Sequence, residues 1–180
     1  MRVLEVQIIP TEALQCKKIV LRWYLSLKRR IPSYYIERKE KIMIKDDCIF
    51  CKIAKGDIPS ATIYEDSDIR VILDVAPANR GHALILTKEH FDNIYEMDEA
   101  TGAKVFAKAT SVAKAIKTVT NCEGMNVLQN NGEVAGQTVH HFHLHLVPRF
   151  KDDEVNMSWA PKTTVAEEQQ ALAEAIKKGL

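Results

Sequence analysis

Four of the six histidines in this 180-residue chain fall within six positions, His140-His141-Phe142-His143-Leu144-His145. Side chains on a β-strand alternate between its two faces. A strand across this run therefore puts His141, His143 and His145 on one face and turns Phe142, Leu144 and Leu146 toward a core. Three imidazoles on one face of a strand with a buried back call for a chemical reason. One is metal binding, since neutral imidazole is a common ligand. Another is nucleophilic and acid–base chemistry, since imidazole is largely unprotonated near neutral pH and can bond to phosphorus. A polar sheet face that carries histidines by chance is the third reading.

The surrounding pattern supplies elements to flank such a strand. Ile49 to Lys55 reads as a short helix ended by Gly56, with Pro59 following. Ala61 to Tyr64 and Ile69 to Leu73 read as two strands turned at Asp66-Ser67-Asp68, and His82 to Leu86 as a third. A long helix spans about Asp98 to Val119, with Asp98 as its cap and Gly124 beyond its end. Its residues Val105, Phe106, Ala109, Val112, Ala113 and Ile116 recur at helical spacing. Met125 to Leu128 is a fourth strand, and His141 to Val147, closed by Pro148, is the fifth. Residues 151–163 form a polar loop carrying Trp159. Thr164-Val165-Ala166-Glu167 then reads as a capping box for a last helix ending at Gly179. Strands in mostly hairpin order with one long helix predict an α+β sheet covered on one side.

The first 42 residues differ in character. They hold ten Lys/Arg against four Asp/Glu, whereas residues 43–180 hold fifteen against twenty, so the whole chain nets only +1. That total predicts no attraction to nucleic acid or membrane. The apolar stretch Ile19 to Leu27, flanked by Lys17-Lys18 and Lys28-Arg29-Arg30, admits three readings: a basic amphipathic surface helix, a targeting presequence, or residues outside the natural protein. The third is favoured here, with Met43 as the true start, because Arg38-Lys39-Glu40 can be encoded by a purine-rich tract of the kind that precedes bacterial start codons. No secretory signal or membrane-length apolar run is visible. The cysteines Cys16, Cys48, Cys51 and Cys122 thus read as those of a reducing cytosol rather than of a disulfide framework.

Before the histidine strand, the run Asn130 to Thr138 brings two glycines and several polar side chains to its mouth. Glycines let backbone N–H groups turn toward an anion, and phosphoryl transfer relies on such fixed donors. Such loops are often only turns. From Gly136 to Pro148 the chain resembles the histidine triad (HIT) superfamily, whose signature is His-x-His-x-His flanked by apolar residues. The likeness reaches back to Cys48-Ile49-Phe50-Cys51-Lys52-Ile53, runs on to about residue 150, and covers none of the first 42 residues. It implies a domain over 43–150 followed by a C-terminal loop and helix over 151–180. The implied fold is α+β: an antiparallel five-stranded sheet with a short N-terminal helix, one long helix and a C-terminal helix, commonly paired as a homodimer.

By the same resemblance, the implied activity is hydrolysis of nucleoside phosphoramidates or dinucleoside polyphosphates through a nucleotidyl–histidine intermediate. His143 would be the nucleophile, His145 would contact the phosphate oxygens or bridging atom, and His141 would hold the strand and support His143. Gly136, Gln137 and Thr138, with Asn130, would position the phosphate of a purine nucleotide. Asp74 would accept hydrogen bonds from the ribose hydroxyls. Ile53, Ile58, Ile72 and Val75 match positions lining the base pocket, and each also reads as plain core packing.

Cys48-x-x-Cys51 has spacing suited to two thiolates on one metal, with His82, His90 and His141 as candidate further ligands. A redox pair, a chance occurrence and two free buried thiols are the other readings. Bacterial members of the family imply a closed structural zinc on Cys48, Cys51, His90 and His141. Two other functions stay open: a nucleotidyl transferase, against which His145 argues because the sugar-phosphate transferases of the superfamily lack the third histidine, and a nucleotide-binding partner protein using the same pocket. Trp159 reads either as a cover for a neighbouring subunit's pocket or as exposed aromatic packing.

Overall fold

The structure, a computed structural model, describes residues 43–180; Cys16, the Ile19–Leu27 stretch and the expected extension 1–42 lie outside the described residues. Helix α1 (Ile49–Lys55) leads into strands β1 (Thr62–Glu65), β2 (Ile69–Leu73) and β3 (Ala83–Thr87), then helix α2 (Glu99–Thr120). Strands β4 (Gly124–Leu128) and β5 (His143–Arg149) follow, with a 3-10 turn at Glu133–Ala135 between them, and α3 (Ala166–Lys177) comes last. The five strands form one antiparallel sheet in the order β1-β2-β3-β5-β4. Thus β5 lies inside the sheet and β4 at its edge.

The alternation of the strands sorts the two sheet faces. Ile69 and Val71 of β2, Ala83 and Ile85 of β3, and Leu144 and Leu146 of β5, with Phe142 just before it, pack against Val105, Ala109, Val112 and Ile116 of α2. Full burial of each large apolar side chain contributes about 1.5–3 kcal/mol, so this layer fixes β5 firmly. The opposite face carries Ile72, Leu84 and Leu86, against which Phe50 and Ile53 of α1 pack. The sheet is therefore covered on both faces, not one. The short α1 spans only part of the second face, and His143 and His145 occupy that same face.

Local chemistry explains most boundaries. Asp66 accepts backbone N–H bonds from Asp68 and Ile69, which closes the β1–β2 turn. Asp98 caps α2 by accepting from the Thr101 amide and hydroxyl. Asn121, in the left-handed conformation, ends that helix. Phe106 is half exposed, because only Val105, Ala109, Val112 and Ile116 of its stripe face the sheet.

Three expectations shift. First, β5 begins at His143, not His141, because the His141 amide bonds Val139 in a turn while Phe142 N–H reaches the Phe91 carbonyl. Second, β5 runs through Pro148, which pairs with Met125. The Pro148 carbonyl accepts from Asn79, in the loop just before β3, so its missing donor points away from the β4 ladder. Third, α3 starts after Val165 with no side-chain cap, so the Thr164 box does not form; none of its residues is buried, and no packing sets where it begins. Past β5, Asp153 receives Arg149, Asn79 and two backbone amides. The Arg149 guanidinium first, then those amides, hold its carboxyl well below the usual carboxylate range.

Candidate active site and metal cluster

Hydrogen-bond partners that can only accept, or only donate, settle which ring nitrogens carry protons. His143 Nδ1 lies 2.6 Å from the backbone carbonyl of His141. A carbonyl accepts, so Nδ1 carries the hydrogen and the Nε2 lone pair is left free. The ring is 4% exposed, with Phe50 edge-on at 4.9 Å and the His145 ring also at 4.9 Å. Burial lowers its pKa, which keeps it neutral.

His145 is wired with the opposite sense. The Ala78 amide donates to His82 Nδ1 at 3.1 Å, so the His82 proton sits on Nε2. His82 Nε2 is 2.9 Å from His145 Nδ1 and donates to it, which leaves the His145 proton on its own Nε2. Adjacent rings on β5 thus present a lone pair from His143 and an N–H from His145. Burial pushes the His145 pKa down to about 4, helped by neighbouring His143 and His82. Burial likewise lowers that of His82, against the pull of Asp74. Asp74, just after β2, accepts from the Ala76 amide and stands 3.6 Å from His82 Nδ1.

His141 lies just before β5 and is fully buried. Its Nε2 gives its hydrogen to the Thr87 carbonyl at 2.9 Å, and His90 Nε2 gives its own to the Asp92 carboxylate at 2.7 Å. The two Nδ1 atoms, both bare, then face each other at 3.2 Å. His141 Nδ1 is 3.5 Å from each sulfur of Cys48 and Cys51, and Cys51 Sγ is 3.2 Å from His90 Nδ1. Cys48 caps α1 and Cys51 lies one turn on, which brings both sulfurs to one point. Tetrahedral bonds of zinc's length separate two nitrogens by about 3.3 Å and a nitrogen from a sulfur by about 3.5 Å. Cys48, Cys51, His90 and His141 therefore fit a soft divalent ion, with all four ligand atoms within 4.8 Å of one another. Burial pushes the Cys51 thiol up, so an ionised sulfur there depends on a nearby cation.

The remaining expected site residues fall at different places. Ile53 and Ile72 share the small cluster beside the histidine face. Ile58 is half-buried, while Val75 is 95% exposed and stands outside that cluster. Asn130 bonds the Gly136 carbonyl, Gly136 closes the 3-10 turn at φ +85°, and Thr138 is exposed at the strand's mouth. Gln137 is buried, with its amide turned to backbone groups rather than to the open side of the loop.

A family model described as the HIT domain matches residues 55–152. The chain belongs to the HIT family. It is 39% identical over 130 residues to the adenosine 5'-monophosphoramidase of Schizosaccharomyces pombe, which covers 72% of this chain and 95% of the relative. The crystal structure of a HIT family protein from Bacillus anthracis superposes with a TM-score of 0.73 at 38% identity, covering 75% of this chain and 98% of that one. A Zn-bound histidine triad family protein from Mycobacterium smegmatis superposes with a TM-score of 0.59 at 35% identity, covering 73% and 97%. The five-stranded antiparallel sheet with its helices is thus the HIT fold.

Beyond the HIT signature, the structure adds three residues that sequence reasoning did not place in the site. His82 was legible only as a spare metal ligand. Its role follows from the β3–β5 register, which sets Leu84 opposite His145 and so puts His82 on the same face. Asp92 orients His90, and a carboxylate two residues after a candidate ligand was the available signal. Phe50, inside the Cys-x-x-Cys spacing, had no signal beyond its helix position.

Proposed function

We propose that the protein is a nucleotide hydrolase that cleaves nucleoside phosphoramidates or dinucleoside polyphosphates through a covalent nucleotidyl–histidine. The observation that carries this reading is the His143 ring: neutral, with Nδ1–H spent on a backbone carbonyl and Nε2 bare. In the first step Nε2 attacks the α-phosphorus and the phosphorus–nitrogen or phosphorus–oxygen bond to the leaving group breaks; the neutral His145 N–H hydrogen-bonds the departing atom, and the proton that an amine leaving group needs comes from solvent. In the second, water displaces His143 from phosphorus and frees the nucleoside monophosphate. The Asn130–Thr138 loop borders the phosphate, with the exposed Thr138 offering its hydroxyl to the developing charge. Asp74 takes the ribose hydroxyls, and Ile53 and Ile72 lie under the purine. The named activity of the fission-yeast relative supports this substrate class.

The same reading includes a structural zinc on Cys48, Cys51, His90 and His141. The ligand spacing supports it, as does the zinc-bound relative. When bound, the ion would supply a fixed positive charge that holds His141, whose carbonyl in turn orients His143. We place the protein in the cytoplasm as a homodimer. Edge strand β4, with Val127 exposed, offers an unpaired ladder to a second copy. No helix among the described residues is long and apolar enough to cross a membrane.

The test compares wild type with His143→Ala on adenosine 5'-phosphoramidate and on a diadenosine polyphosphate. Wild type turns over at least one, and acid-quenched protein carries a nucleotidyl mass on His143. The variant still binds AMP but loses turnover by about three orders of magnitude or more. Full activity in the variant removes His143 from its role, and binding without turnover in wild type favours a partner protein.

A further inference from the structure

The loop between β4 and β5 is closed at its neck by one side chain. Gln137 is 3% exposed, and its amide oxygen accepts from the Gly132 N–H at 2.7 Å. Its amide nitrogen donates to the carbonyls of Asp92 and Val139. The Gln137 backbone N–H returns to the Gly132 carbonyl at 3.1 Å, so both polar groups of Gly132 are held by one residue. Gly132 sits at φ +83°, a conformation that other residues reach only with strain. A second strut runs beside the first: Asn131 Oδ1 accepts from the Ile94 amide at 2.8 Å. The loop therefore hangs on the segment after His90, and the same Asp92 that offers its carbonyl to Gln137 orients His90 through its carboxylate.

We infer that Gln137 is a positioning residue that locks the phosphate loop at its neck and ties it to the segment bearing His90, rather than a group that touches the nucleotide. The inference rests on the proposed reading of this loop as the phosphate cradle. Each bond of the Gln137 amide goes to main chain: its oxygen takes an N–H, and its two hydrogens go to separate carbonyls. That leaves one lone pair of the oxygen as the only capacity not already used. Buried amides that satisfy several backbone groups at once order a loop, and removal of such a group leaves several partners unpaired together.

The experiment measures dissociation constants of AMP and of adenosine by calorimetry on full-length protein, for wild type, Gln137→Met and Asn131→Ala. Exchange of the Gly132 amide with deuterium is followed in parallel. A locked cradle predicts that Gln137→Met weakens AMP by about ten-fold while adenosine changes by less than about two-fold, because only the phosphate meets the loop. Asn131→Ala, at a half-exposed position that keeps the fold, moves AMP by about three-fold in the same direction. The Gly132 amide exchanges faster in Gln137→Met. Unchanged AMP affinity, or an equal loss for AMP and adenosine, overturns the inference. If wild type binds AMP no better than adenosine, the reading of the loop as a phosphate cradle fails instead.

Discussion

Two clusters flank His143 on the same sheet face, built from similar side chains yet holding their protons in opposite ways. In the Cys48–Cys51–His90–His141 group, the outer nitrogens have given their hydrogens to Thr87 and Asp92, and the inner ones confront each other bare at 3.2 Å. In the Asp74–His82–His145 group, whose ligand-type atoms also lie within 4.8 Å, the inner nitrogens share a proton at 2.9 Å, and the outer His82 nitrogen is occupied by an amide. The first arrangement could hold a cation, and the second passes polarity from backbone to ring to ring. Residue type alone does not separate a metal pocket from a proton relay. The partners of the far nitrogens do.

The largest effect that can break this contrast is removal of the sulfurs. Cys48→Ala with Cys51→Ala is expected to abolish stoichiometric zinc, measured by elemental analysis, and to lower the thermal midpoint by about 10 °C or more. A wild type that purifies with no zinc and takes none up would leave the first cluster as two buried thiols. Next in size is His82→Phe, which removes the proton shared with His145. It should cost about a hundred-fold in kcat/KM while zinc content stays the same, and His82→Gln, which restores a donor, should recover part of the loss. Equal loss of zinc and activity would mean that His82 serves packing and not polarity.

The smallest effect is on stability against pH. Burial holds the His145 pKa near 4 in the folded state, whereas an unfolded histidine titrates near 6.5. Between those values the unfolded chain binds more protons. The contribution is therefore full above about pH 6.5 and is lost as pH falls toward about 4. The melting temperature of zinc-saturated protein should fall over this window, and His145→Gln should flatten part of the slope. Parallel slopes in the two proteins would deny the ring its buried, neutral state.

The sequence exposed what is periodic and hid what depends on register. Alternation placed His143 and His145 opposite Phe142, Leu144 and Leu146, and helical spacing found the buried stripe of α2. Strand pairing decides the rest. His82 reaches His145 only because β3 and β5 run antiparallel in one particular register. Val75 matched a base-pocket position only through the family likeness; it lies just past the end of β2 with its side chain exposed, and no spacing in the sequence foretold that. Gln137 sat in the signature among phosphate-binding positions, and only the fold shows its amide turned back on the chain. The α2 face offered a similar trap: Phe106 obeys the helical spacing in sequence but falls at the margin of the contact surface.

One consequence concerns how this centre would appear in a mutational scan. The group that orients His143, the proposed nucleophile, is the main-chain oxygen of His141, and no side-chain exchange deletes it. Residue-by-residue replacement would register the loss of the imidazole at that position and stay blind to its carbonyl. A backbone ester between residues 141 and 142 makes that oxygen a poorer acceptor and so reaches the orienting group, while also deleting the Phe142 N–H that bonds the Phe91 carbonyl.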